Sequence, residues 1–237
     1  MSAPAVIAHD DIQGWVRAAV ESVTKALDDA FYARGAATMA VSGGSTPGPV
    51  YDKLCLADIE WYRVKVGLAD ERWIPLRDPA SNERQVRERL LRHRAAAARF
   101  VAMKTPAPTP FDAEPAVDAR YREALAPLDV VILGMGADGH TASLFPGSLG
   151  LASALDPGGW RMVAAIDASE CPVAGGHLLR MSLTLPALSQ ANRAVLLLRG
   201  EEKRRVFEAA MTQDRSDAPV RAVADALGAR LVVHWAP

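Results

Sequence analysis

The chain has 237 residues, 50% of them apolar and 23% charged, a composition that folds into a globular core and excludes a disordered polyelectrolyte. Its 27 Lys and Arg residues against 28 Asp and Glu leave a formal net charge of −1, so no global field draws it to nucleic acid or to an anionic membrane. No apolar run reaches the roughly 20 residues that span a bilayer, residues 1–10 lack the pattern of a signal peptide, and the two cysteines, Cys55 and Cys171, are expected as reduced thiols of a cytoplasmic protein.

Within residues 11–31 the apolar side chains Ile12, Trp15, Val16, Ala19, Val23, Leu27, Ala30 and Phe31 recur at three- and four-residue steps, the stripe of an amphipathic helix. Gly35 stands where such a helix stops. Short apolar runs follow at 38–41, 64–68, 100–103, 128–133, 162–166, 194–198 and 231–234. Some are apolar at consecutive positions, as in Val130-Val131-Ile132-Leu133, which suits strands covered on both faces. Helical patterns lie between them at 47–56, 81–98, 118–126, 201–211 and 219–227. The alternation predicts an α/β chain, mainly a parallel sheet with helices on both faces, in one domain over 1–237. Residues 105–115 carry Pro106, Pro108, Pro110 and Pro115 and are read as a long surface loop.

Ligands of open parallel sheets bind outside the carboxyl ends of the strands, so the residues directly after each apolar run are the informative ones. Val41 is followed by Ser42-Gly43-Gly44-Ser45-Thr46-Pro47. Thr46 is expected to cap the next helix and Pro47 to occupy its first turn. Two glycines let the backbone approach a ligand, and free N–H groups with three hydroxyls suit a phosphate, although a tight strand-to-helix turn uses the same residues. The Gly-Lys-Ser/Thr ending of a nucleotide loop is missing. The run at 64–68 is followed by Asp70-Glu71-Arg72-Trp73, in which Arg72 offers the planar, always charged fork that suits phosphate; a solvated charge cluster is the plainer alternative. Asn82 adds a polar contact or, with Ser81, simply starts a helix.

The run at 128–133 is followed by Gly134-Met135-Gly136-Ala137-Asp138-Gly139-His140, which opens as a dinucleotide fingerprint. Pro146 and Gly147 interrupt the chain before the long helix such a site needs. The glycines instead present Asp138 and His140 at the sheet edge, where a neutral imidazole takes a proton from water and a carboxylate orients it. His9, His93, His177 and His234 lack that setting. Lys203 falls on the inner side of its helix near the end where the dipole disfavours a cation, so either a bound phosphate or a reach to solvent must compensate.

Taken together, Ser42 to Pro47, Asp70-Glu71-Arg72, Ser81-Asn82, the segment from Gly134 to Gly147, Arg180-Met-Ser-Leu-Thr184 and Gly200-x-x-Lys203 resemble the 6-phosphogluconolactonase family, in order across most of the chain. The resemblance implies a fold related to glucosamine-6-phosphate deaminase, ribose-5-phosphate isomerase and the CoA transferases, with a small additional subdomain. It implies hydrolysis of 6-phospho-D-glucono-1,5-lactone, a phosphosugar partner, no metal or organic cofactor, and a monomer or weak homodimer. His140 then activates water and Asp138 holds its ring. Ser42, Gly43, Gly44, Ser45, Thr46, Asp70, Arg72, Asn82, Gly136, Arg180 and Lys203 then bind substrate, with the Gly43, Gly44 and Gly136 region offering backbone donors to the oxyanion. The family's deaminases share the Asp-Gly-His segment, but Thr141-Ala-Ser-Leu-Phe-Pro-Gly147 has the lactonase form. The stretch before Arg180 departs from the family's proline-rich approach, which bears on the role of that arginine. A sugar-phosphate deaminase or isomerase and a non-catalytic sugar-phosphate sensor are the alternatives.

Overall fold

A computed structural model describes residue 4 and residues 6–237; residues 1–3 and 5, part of the stretch read for a signal peptide, lie outside the described residues. The chain opens with β1 (Val6–Ala8) and α1 (Ile12–Arg34). Asp11 caps α1 by accepting from the Gly14 amide at 2.7 Å, and Gly35 ends it in a left-handed turn at φ 73°. Its buried stripe is Trp15, Val16, Ala19, Val23, Ala26, Leu27 and Ala30. Each fully buried Val or Leu there contributes about 1.5–3 kcal/mol.

Then follow β2 (Ala37–Val41), α2 (Gly48–Leu54), β3 (Val64–Leu68), β4 (Asp70–Arg72), α3 (Asn82–Arg89), β5 (Arg99–Phe100), α4 (Pro110–Leu125), β6 (Val130–Leu133), α5 (Leu151–Leu155) and β7 (Val163–Asp167). The chain ends through β8 (Leu179–Leu183), α6 (Leu185–Ser189), β9 (Arg193–Arg199), α7 (Glu201–Ala210), α8 (Pro219–Leu227) and β10 (Leu231–Ala236). One 7-stranded sheet has the order β1-β10-β9-β6-β2-β3-β5, with every pairing parallel. A separate 3-stranded antiparallel sheet, β4-β8-β7, is the small addition to it. Val130, Val131, Ile132 and Leu133 of β6 are all at most 1% exposed. Neighbouring strand residues point to opposite faces, so both faces of the sheet are covered at its centre.

From β2 the chain steps outward to β3 and β5, then returns to lay β6 on the other side of β2 before moving on to β9 and β10. Strand order therefore reverses between β2 and β6, and the crevice outside their carboxyl ends is the natural ligand site of such a sheet.

Several local expectations change. Residues 105–115 are not one long loop: Thr109 and Asp112 form a capping box and α4 starts at Pro110. Proline in the first turn loses no hydrogen bond, and Pro115 costs α4 one, so these prolines mark a helix start rather than its absence. Residues 81–98 are not one helix, because α3 stops at Arg89 and a 3-10 turn covers His93–Ala97. The 100–103 run keeps only Phe100 in a strand, and the 162–166 run is β7 of the antiparallel sheet. Thr46 does not cap α2, whose start after Pro47 has no side-chain cap. Among the described residues no helix is long and apolar enough to cross a membrane.

Candidate active site

Four strands that lie side by side, β9, β6, β2 and β3, send their following segments into one cleft of about 390 Å³. From β2 come Ser42, Gly43, Gly44, Ser45 and Thr46; from β3, through β4, come Asp70 and Arg72. The loop after β6 brings Gly136 and His140, and the first turn of α7 brings Lys203. Asn82, the first residue of α3, and Arg180 of β8 complete the wall. The binding residues singled out in the sequence thus share one cleft, and Asp138 is hydrogen-bonded to the imidazole that faces it. A larger cavity of about 840 Å³ adjoins α5, but its Arg215 and Arg221 are both drawn to Asp225 and no histidine lines it.

The loop after β6 is tied to itself. The Gly136 amide donates to the His140 carbonyl at 2.8 Å, and Thr141 Oγ1 donates to the Gly134 carbonyl at 2.8 Å. A Cβ on Gly136 would lie 2.1 Å from the imidazole, so glycine is what allows the ring to fold back over the loop. His140 Nδ1 is 2.5 Å from Asp138 Oδ1, and the Phe145 ring flanks the imidazole with centroids 4.2 Å apart. Burial pushes the Asp138 carboxyl up, but its hydrogen bond and charge pairing with His140 outweigh that and the net shift is down. An ionised carboxylate only accepts, so Nδ1 carries a proton and Nε2, without a partner among the described residues, is the nitrogen left for chemistry.

The same cleft is lined by cations. Arg72 and Arg180 are register partners on antiparallel β4 and β8, and Lys203 lines the same cleft. Burial pushes the Arg180 guanidinium down, the Asp70 carboxylate draws it back, and Arg72 adds repulsion; the net shift is down. Ser42 Oγ, Arg72 Nε and Asn82 Oδ1 are buried side-chain atoms with no hydrogen-bond partner. They are the only such atoms among the described residues. Folded chains rarely leave buried polar atoms unsatisfied, and all three of these belong to residues that line the cleft.

A carboxylate that the sequence reading left unassigned supports the wall. Glu71, 1% exposed, accepts from the amides of Arg72, Asn82 and Glu83 at 2.7, 2.8 and 2.8 Å and from Ser81 Oγ at 3.1 Å. Burial raises its carboxyl more than those amides lower it. Glu71 therefore caps α3 from a neighbouring strand and fixes Asn82, whose Nδ2 donates to the Asp70 carbonyl at 2.8 Å. A Cβ on Gly43 would meet Asn82 Oδ1 at 2.0 Å, so this approach too requires glycine.

Two expectations are revised here. The Gly44 amide donates to Gln85 Oε1 at 2.7 Å and the Gly136 amide is committed to His140, so of the three oxyanion candidates only Gly43 is not engaged in this way. Arg180 Nε and Nη2 donate to the carbonyls of His177 and Ala174 at 2.5 and 2.8 Å, so this side chain also builds the cleft wall formed by Val173 and Ala174. His234 has polar partners in His9 and Ser22, but it does not line the cleft and so lacks the setting of His140, as expected. Among the described residues no group of three or more His, Cys, Asp or Glu side chains is placed to share a metal ion.

Fold and cleft define an α/β protein with a cationic clamp and a carboxylate-backed imidazole at the point where strand order reverses. The chain belongs to the glucosamine-6-phosphate isomerase/6-phosphogluconolactonase family, whose profile matches residues 10–233. It is 38% identical over 228 residues to a 6-phosphogluconolactonase of Xylella fastidiosa strain Temecula1, covering 96% of this chain and 94% of that one. It is 39% identical over 221 residues to a 6-phosphogluconolactonase of Rhizobium meliloti, covering 93% of each. The crystal structure of a 6-phosphogluconolactonase from Shewanella baltica superposes with a TM-score of 0.92 at 33% identity, covering 99% of this chain and 98% of the other. A monomeric glucosamine-6-phosphate deaminase superposes with a TM-score of 0.75 at 16% identity, a likeness of fold alone.

Proposed function

We propose that this protein hydrolyses 6-phospho-D-glucono-1,5-lactone to 6-phospho-D-gluconate, the lactone-opening step of the oxidative pentose phosphate pathway, in the cytoplasm. The observation that carries this reading is one of placement: Arg72, Arg180 and Lys203 share a single cleft with an imidazole whose Nε2 is open. A phosphate dianion between the two guanidiniums offsets their repulsion and fixes one end of the sugar. Its binding energy then orients the lactone at the other end.

His140 takes a proton from water as the water oxygen bonds to C1. Negative charge develops on the carbonyl oxygen, for which the amide of Gly43, a residue lining the cleft, is the candidate donor. The intermediate collapses by breaking the bond between C1 and the ring oxygen, the imidazolium returns its proton to that oxygen, and the new carboxylic acid loses its own proton to solvent. Asp138 keeps the ring in the productive tautomer and stabilises the imidazolium, and base assistance of this kind is typically worth about 10²–10⁴-fold. A lactone is an activated ester, and the scheme uses no metal or organic cofactor. Cys55 and Cys171 are buried free thiols, which suits a reducing compartment.

The test is acid release from freshly prepared 6-phosphogluconolactone, with and without protein, corrected for spontaneous opening. Release above background is expected. Ammonia release from glucosamine 6-phosphate would replace the reading with a deaminase, and tight lactone binding without turnover would replace it with a sensor.

A further inference from the structure

Ala142 lies in the cleft wall two residues past His140 with φ 50°, a left-handed backbone that a residue with a Cβ keeps only when its surroundings impose it. Both neighbours are tied down. Thr141, fully buried, donates from Oγ1 to the Gly134 carbonyl at 2.8 Å. Ser143, also fully buried, donates from Oγ to Asp70 Oδ2 at 2.6 Å, while its amide donates to Ser182 Oγ at 3.2 Å. Those two partners are themselves held: Asp70 Oδ1 accepts from Asn82 Nδ2 at 3.1 Å, and Ser182 Oγ donates to the Leu183 carbonyl at 3.1 Å. Asp70 and Ser182 face each other as register partners of β4 and β8. The loop after β6 is thus bolted to the antiparallel sheet at Ser143, and again further on at Leu149, whose amide and carbonyl pair with Asp167 of β7.

The bolt bears on the imidazole through the chain. The turn closes with the Leu144 amide donating to the Thr141 carbonyl at 3.1 Å, and the His140 carbonyl accepts from Gly136 at 2.8 Å. If Ala142 relaxed to negative φ, the chain on one side of it would have to swing. With Ser143 anchored to β4 and β8, the side that carries His140 would take up the swing, at the expense of the bonds that Gly136, Thr141 and Val220 make to it. A short hydroxyl-to-carboxylate bond such as that of Ser143 is among the stronger hydrogen bonds and is suited to resisting the swing. Ser143 has no exposed surface and does not line the cleft, so it acts on substrate only through other residues.

We propose that Ser143 is a positioning residue whose bond to Asp70 holds Ala142 left-handed and thereby seats the His140 imidazole against Asp138. The inference rests on the reading of His140 as the base, and it ties the chemical wall of the cleft to β4, the strand that carries Arg72.

Glycine adopts left-handed φ freely and needs no bolt. The test is therefore a cycle of Ser143→Ala and Ala142→Gly, alone and together, read as kcat and KM for the lactone. Ser143→Ala is expected to lower kcat about tenfold, as befits loss of a hydrogen bond to a charged group, with KM within about threefold of wild type. In the Ala142→Gly background the same change should cost less than about threefold. An equal loss in both backgrounds, or a rise in KM in place of a fall in kcat, would overturn the proposal. Should Ser143→Ala fail to fold, Ser182→Ala carries the test, with a smaller fall in kcat and the same rescue by glycine expected; loss without rescue overturns it. His140→Asn separates the two readings. Retained turnover in that variant removes the base itself, whereas lost turnover together with a wild-type kcat for Ser143→Ala removes only the bolt.

Discussion

Two histidines of this protein sit in hydrogen-bonded chains of similar outline and differ in what they leave open. His140 has Asp138 on Nδ1, no partner on Nε2 among the described residues, and lines a cleft. His234 on β10 is 3% exposed, with His9 Nε2 at 2.9 Å from its Nδ1 and Ser22 Oγ at 3.0 Å from its Nε2. A hydroxyl, an imidazole and a third group in a row is the arrangement that activates a nucleophile elsewhere. Around His234 both nitrogens are used, and its own carbonyl accepts from Trp15 Nε1 at 3.1 Å, which ties β10 to α1. The difference teaches that an unused nitrogen facing a cleft, rather than a bonded chain, is what sets the proposed base apart from a packed histidine. The same contrast extends outward: among the described residues the unsatisfied buried side-chain polar atoms belong to residues that line the cleft, and none belongs to the His234 cluster.

Exchanging the two imidazoles in turn is the strongest way to break the comparison. His140→Asn should lower kcat by about 10²–10⁴-fold while KM moves by less than about threefold, since the phosphate clamp is untouched. His234→Asn should leave kcat near wild type and lower the melting temperature. Steady-state kinetics beside thermal unfolding checks both, and a kcat loss in the His234 variant larger than in the His140 variant would reverse the assignment.

The next largest effect is pH-dependent and belongs to the core histidine. Burial, with a smaller contribution from the His9 charge, pushes the His234 imidazole down from 6.5 to about 4. Its folded value lies below its unfolded one, so the unfolded chain binds the extra proton between the two. Stability from this group is therefore fully present above about 6.5 and is lost as pH falls toward 4, by on the order of 3 kcal/mol in all. Urea unfolding at pH 7.5 and pH 4.5 should show a larger drop for the wild type than for His234→Asn. Equal drops would place the sensitivity elsewhere.

The sequence announces the cleft more clearly than the small sheet beside it, and the reason is local. Ser42, Gly136, His140 and Lys203 follow strands that carry three or more consecutive apolar residues, which reveal themselves and the residues that come after. Strand β4 is Asp70-Glu71-Arg72, with no apolar residue, and it exists because β8 pairs with it and α3 satisfies Glu71. No local period encodes that. Strand β8 does carry a legible signal, since Leu179, Met181 and Leu183 alternate with Arg180 and Ser182, yet the run is short and stands beside a glycine pair. The Gly44 bond to Gln85 spans 41 residues and the Ser143 bond to Asp70 spans 73, so which amides and hydroxyls are spoken for emerges only from the tertiary structure.

Within the cleft, Arg72→Ala sharpens the division between clamp and base. Its Nη1 already donates to the Ala80 carbonyl at 2.5 Å, while the buried Nε has no partner among the described residues. Loss of charge-assisted bonds to a phosphate should raise KM by about 10–100-fold with a smaller change in kcat. The preference for the phosphorylated lactone over the unphosphorylated one should fall in step. A variant that keeps that preference would move the phosphate to Arg180 and Lys203.

The smallest effect gives the sharpest comparison, because one chemical change should act with opposite sign in the two regions. Ser42 Oγ is buried without a partner, so Ser42→Ala removes a desolvated hydroxyl that gives nothing back in the free protein. Stability should stay level or rise by up to about 1 kcal/mol, while KM increases a few-fold. Ser22 Oγ, in contrast, is what His234 Nε2 bonds to, so Ser22→Ala leaves a part-buried ring nitrogen unpaired. That should cost about 1–3 kcal/mol in stability with no change in KM. Paired unfolding and kinetic measurements on the two variants decide it: if Ser42→Ala destabilises as much as Ser22→Ala, then the cleft hydroxyl is already satisfied in the free protein and is not held for a ligand.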